Sequence, residues 1–122
     1  MYFSMRKAGG VTGTVQDVFF YSGGTLAVYV RADQGGAAPI NLVGTTTETL
    51  VASPSGDTWY DIHINWVSTT SVKARWRTPG GSWSSFTAAV TLAGAASSID
   101  RIKLHWDNFG TPRDLYWDDI TN

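Results

Sequence analysis

Charged and hydrogen-bonding side chains recur at every second position in three runs of this sequence: Asp61, His63 and Asn65; Lys73, Arg75 and Arg77; Arg101, Lys103 and His105. Tyr29 and Arg31 repeat the spacing upstream. A two-residue period places such residues on one face of a β-strand. Strands that share a sheet would merge these rows into one polar surface, with arginine forks and lysine point charges suited to sugar hydroxyls and to carboxylate or sulfate groups. Trp59 and Trp83 stand beside turns, where an indole face is available to stack on a sugar ring. The ligand-binding set expected from these features is Trp59, Trp83, His63, Asn65, Arg75 and Arg77. Trp66, Trp76 and Trp106 share the apolar phase of their runs and are expected in the core. The plain alternative for the polar rows is the wet face of any antiparallel sheet.

Catalysis has little to work with. Glycosidic bond hydrolysis needs two carboxyl groups about 5 to 10 Å apart, and Glu48 is the only glutamate among the ten acidic residues. The one adjacent acidic pair, Asp118-Asp119, would point to opposite faces of a strand. No G-x-S-x-G elbow surrounds a serine, and both histidines lie on polar phases where a solvated imidazole is ordinary. No catalytic residue is expected, and the chain reads as a non-enzyme. The absence of cysteine excludes disulfides and thiolate metal sites. Asp107, Asn108 and Asp114 bracket a turn-rich stretch, where such residues ordinarily close the turn by bonding their own backbone. No cofactor is required.

At 122 residues, 43% hydrophobic and 16% charged, the chain fits one globular domain spanning 1–122, either by itself, as part of a larger polypeptide or completed by a partner. A formal charge of −1 provides no net field toward nucleic acid or an anionic membrane. No run approaches the roughly 20 apolar residues of a membrane span, and the opening MYFSMRKAGG has no apolar stretch of signal-peptide length. Neither nucleic acid nor membrane insertion is expected. Six Trp, five Tyr, five Phe and thirteen Gly favour strands and turns over surface helices.

The elements follow from alternation. Trp59 to Val67 alternates Tyr60, Ile62, Ile64 and Trp66 against polar residues, which predicts a half-buried strand. After Ser68-Thr69-Thr70-Ser71 the pattern resumes through Arg77, and Pro79-Gly80-Gly81 turns the chain again, with Trp83 opening the next strand. Arg101 to Trp106 is another strand, its expected partner Asp114 to Ile120 through a hairpin-like or sheet-switching connection. Val15 to Tyr21 and the Leu26, Val28, Val30 run are joined by Ser22-Gly23-Gly24, and weaker strands are expected at Tyr2 to Lys7, Ile40 to Val43 and Glu48 to Ala52. Nine or ten short strands with turns between them predict an all-β antiparallel sandwich or barrel.

From Trp59 onward the order of strands, Trp-Tyr-Asp-Ile-His-Ile, Val72-Lys73-Ala74-Arg75-Trp76, the Trp83 segment, Ile99-Asp100-Arg101-Ile102-Lys103-Leu104 and Leu115-Tyr116-Trp117-Asp118-Asp119-Ile120, resembles the C-terminal part of concanavalin A-like lectin/glucanase domains, the laminin G-like jelly rolls. The resemblance implies a single jelly-roll β-sandwich that recognises a glycan or polysaccharide on a sheet face or at loop tips, in an extracellular setting; because such domains often hold calcium through aspartate side chains and loop carbonyls, it also implies a candidate calcium site at Asp107, Asn108 and Asp114. The E-x-D-x-x-E motif of the superfamily's glucanases is missing, in keeping with a binding module. The second expectation is a virion structural protein, a capsid-decorating or tail-associated subunit on the virion surface, docking on protein neighbours by its sheet edges.

Overall fold

The computed structural model describes the backbone of residues 1–7, 14–33, 38–108 and 117–121 and the side chains of residues 1–7, 15–33 and 38–105. Among the described residues ten strands are formed: β1 (Tyr2–Lys7), β2 (Thr14–Ser22), β3 (Thr25–Asp33), β4 (Ile40–Val43), β5 (Thr47–Val51), β6 (Thr58–Ser68), β7 (Ser71–Arg77), β8 (Val90–Thr91), β9 (Arg101–Asn108) and β10 (Trp117–Thr121). They make two five-stranded antiparallel sheets, ordered β10-β1-β6-β7-β8 and β5-β4-β3-β2-β9. The fold is an all-β sandwich.

Alternation sorts each strand into an inner and an outer face. Phe3, Met5, Ile62, Ile64, Val72 and Ala74 of the first sheet meet Val18, Phe20, Val28, Val30, Ile40 and Leu42 of the second, all buried in one cluster. The Phe3 and Phe20 rings cross the interlayer with centroids 6.0 Å apart. Each fully buried side chain of this size contributes about 1.5–3 kcal/mol relative to exposure. Trp76 is half-buried at the rim of this core, edge-on to Tyr60 at 5.6 Å, and Trp66 also packs against it.

Two turns are set by glycine chemistry. Gly23 and Gly24 take φ of 57° and 79° between the paired Ser22 and Thr25, the left-handed geometry of a tight two-residue hairpin. Gly44 follows β4, where Thr45 N donates to Thr91 O at 2.9 Å and ties the two sheets together. A Cβ on Gly44 would collide with that same Thr91 carbonyl oxygen. Gly44→Ala is therefore expected to lower the unfolding free energy by about 2 kcal/mol, as overpacking against backbone does, measurable by urea denaturation.

The structure differs from the pattern-based reading in two pairings. The segment expected to pair with the Arg101 strand, of which 117–120 are described, does not do so: β9 pairs with β2, where Ile102 and Leu104 lie opposite Phe20 and Val18, and β10 pairs with β1 in the other sheet. Of the two connections expected, hairpin-like or sheet-switching, these pairings agree with the second. Nor does Trp83 open a strand. Ser84 and Thr87 N–H groups donate to the Trp76 and Ala74 carbonyls, but the returning bonds from Trp76 N and Ala74 N go to the Ser84 and Thr87 hydroxyls. Side-chain acceptors replace carbonyls, and the segment runs beside β7 without a regular ladder.

Candidate functional site

The outer face of the β1-β6-β7 sheet is a lattice of polar pairs. Antiparallel register sets Ser4 opposite Asp61 and Asp61 opposite Arg77 in one row, and Tyr2 opposite His63 and His63 opposite Arg75 in the next. Directly opposed side chains stand about 5 Å apart at Cβ, close enough to bond. The Ser4 hydroxyl donates to Asp61 Oδ1 at 2.8 Å, and Arg77 Nε donates to Asp61 Oδ2 at 2.9 Å. Arg75 Nε donates to His63 Nδ1 at 3.1 Å, which makes that nitrogen an acceptor.

The irregular segment after β7 supplies the aromatic cover. In a regular strand Trp83 and Phe86, three apart, would face opposite ways; here both rings lie against His63, at 5.9 and 5.5 Å. The Arg77 and Arg75 guanidiniums sit 4.5 and 4.9 Å from the Trp83 ring centre, and Arg75 also lies 4.7 Å from Phe86. Tyr2 stacks on His63 at 4.2 Å and approaches Trp83 at 6.0 Å. A cleft of about 300 Å³ opens between Tyr2, Ser4, Asp61, Arg77 and Trp83.

Of the expected ligand set, His63, Arg75, Arg77 and Trp83 are brought together. Asn65 is one row further along β6, opposite Lys73, and Trp59 is toward the other end, opposite Arg6. Tyr2, Ser4 and Phe86 complete the site without having been anticipated. Their only signal is weak: Tyr2 and Ser4 occupy the polar phase of a short strand, and Phe86 follows no alternation.

The rows singled out in the sequence do not share one surface. Arg101, Lys103, His105, Tyr29 and Arg31 belong to β9 and β3, in the opposite sheet. There, Asp17 is fully buried beneath Arg31, which makes two 2.9 Å bonds to its carboxylate, while His105 Nδ1 lies 3.4 Å from it. Phe19 packs between Tyr29 at 5.2 Å and His105 at 5.4 Å.

Of the candidate calcium residues, Asp107 and Asn108 end β9, paired with Val15 and Thr14; their side chains lie outside the described residues, as does the whole of Asp114. Among the described residues no cluster of three or more His, Asp or Glu side chains is placed to hold a metal.

Burial, then the nearby Met1 ammonium and Arg75 guanidinium, hold the His63 pKa below its ordinary 6.5. Folding therefore favours the neutral imidazole. For a base whose folded pKa is depressed, the unfolded chain binds more protons just below 6.5, so stability is fully present above that value and falls as the pH drops through the window beneath it. Protonation would also turn Nδ1 from acceptor to donor, facing the Arg75 N–H. The stability advantage of the natural protein over His63→Gln is expected at pH 7 and should shrink toward pH 5, as read by denaturation at each pH.

Comparison of the chain with protein-family models, curated proteins and solved structures finds no match.

Proposed function

We propose that the protein is a non-catalytic glycan-binding module whose site is the Trp83 cleft on the outer face of the β1-β6-β7 sheet. The observation that carries this reading is a planar indole laid beside an aspartate–arginine pair. Trp83 adjoins Arg77, whose Nε is held by Asp61 at 2.9 Å, at the edge of a cleft that Tyr2 also lines. A pyranose ring has the matching chemistry, with an apolar C–H face to stack on the indole and hydroxyls that donate to the carboxylate and accept from the guanidinium. The Asp61 ion pair fixes the Arg77 fork before a ligand arrives, which lowers the ordering cost of binding. The resemblance of the sequence segments from Trp59 onward to laminin G-like lectins supports the same reading.

A glycan array of neutral and acidic polysaccharides, run with calcium present and chelated, tests it. Saturable binding to a defined glycan is expected, and it should persist under chelation because the cleft donors are side chains of this face. Arg75→Ala with Arg77→Ala should weaken that binding about tenfold or more, as loss of charge-assisted bonds does, with the circular dichroism spectrum retained. Unchanged affinity in the double variant, or a folded chain that binds nothing, rejects the proposal.

A further inference from the structure

The edge of the other sheet has an unused recognition pattern. β9 is the last strand in its sheet order, with β2 as its strand neighbour among the described residues. Such an edge presents N–H and C=O groups of alternate residues outward. From Arg101 to His105 its side chains alternate, with Arg101, Lys103 and His105 in the polar phase and Ile102 and Leu104 in the apolar phase. Leu104 pairs with fully buried Val18 yet is itself 40% exposed, so the apolar layer is only partly covered at this strand. On the polar side Arg101 rests 4.0 Å over the Tyr21 ring. Among the described residues, no carboxylate is within ion-pair distance of Arg101 or Lys103.

We propose that Arg101 to His105 is a strand-addition site for a protein segment in which acidic and apolar residues alternate. Such a segment, laid antiparallel on β9, brings directly opposed side chains to about 5 Å at Cβ. Its carboxylates then meet Arg101 and Lys103 on the outer face, and its apolar residues cover Leu104 on the inner one. A second copy of this chain is a poor occupant. Edge-to-edge pairing of β9 centred on Lys103 would set the two Lys103 ammoniums directly against each other, and directly opposed like charges destabilise a ladder. The cations that deter self-pairing thus favour an acidic strand. The inference does not rest on the glycan reading, which uses the opposite sheet.

The test uses the full chain and a labelled heptapeptide of alternating glutamate and valine, with a lysine–valine peptide and an oligoglutamate as comparators. The glutamate–valine peptide should bind by fluorescence anisotropy, more weakly as salt rises, and should slow amide exchange at Arg101 to His105. Arg101→Glu with Lys103→Glu should lower that affinity about tenfold or more and transfer binding to the lysine–valine peptide, as reversal of a charge-matched edge requires. Both side chains are exposed, so the variant should keep its fold. Equal binding of oligoglutamate, slowed exchange elsewhere than β9, or no binding of the glutamate–valine peptide overturns the proposal.

Discussion

Arg31→Met is expected to lower the unfolding free energy by about 3 kcal/mol, the lower end of what breaking a buried ion pair costs. Asp17 is the reason. Its side chain is fully buried, and the Arg31 guanidinium meets both carboxylate oxygens at 2.9 Å. The same bond, opposed by burial and aided by the Asp17 charge, raises the Arg31 pKa above its ordinary value. Among the side-chain contacts of the described residues, the carboxylate without Arg31 keeps the longer 3.4 Å contact with His105. The reciprocal change, Asp17→Asn, should cost less, because Arg31 is 38% exposed and can be hydrated once freed. Combining the two substitutions should recover part of the loss, since no buried charge is then left unpaired. Chemical denaturation of the three variants measures the cycle. A loss below 1 kcal/mol in Arg31→Met would mean that the pair adds no more than a typical surface one.

Lys7→Ala is expected to cost about 3 kcal/mol as well, the sum of a lost core side chain and two orphaned carbonyls, offset by relief of a desolvated ammonium. Lys7 follows Phe3 and Met5 in the inward phase of β1 and is fully buried. Its ammonium crosses to the other sheet, donating to the carbonyls of Asp33 at 2.6 Å and Ala38 at 3.1 Å. Lys7→Met keeps the volume and loses the bonds, so it should fall between alanine and the natural protein. Burial, partly offset by Asp33, holds the Lys7 pKa below 10.5. The unfolded chain then binds more protons in the window just under that value, so this group makes the fold more stable as the pH rises toward 10.5. That increment should be absent in Lys7→Met. Thermal melts across pH 7 to 10 separate the packing loss from the charge term.

The strands themselves were readable because a two-residue period is local. Tyr2–Lys7 and Ile40–Val43 lie where alternation and turn residues place them, and the β6–β7 pair keeps its inward Tyr60, Ile62 and Ile64. Lys7 carried a signal of its own, a cation in the phase of Phe3 and Met5. The Asp17–Arg31 pair did not. Extending the register of the Ser22–Thr25 turn along the hairpin would set Asp17 opposite Val30; an irregularity between Phe20 and Tyr21 shifts the register by one residue and places it opposite Arg31.

The amino-acid sequence alone determined that this chain is all-β, where most of its strands and turns fall, the Trp83 segment and β8 apart, and which side of those strands is polar, because these depend on neighbours two residues apart. Tertiary structure decided which rows share a face. The Asp61, His63 and Arg75, Arg77 rows meet across one sheet, while the Arg101 row joins Asp17 and Arg31 on the other. It also folded Trp83 and Phe86 onto the first face, through hydroxyls standing in for ladder carbonyls. Strand order, register shifts and such irregular pairings depend on contacts between residues far apart in the chain, and a local period does not encode them.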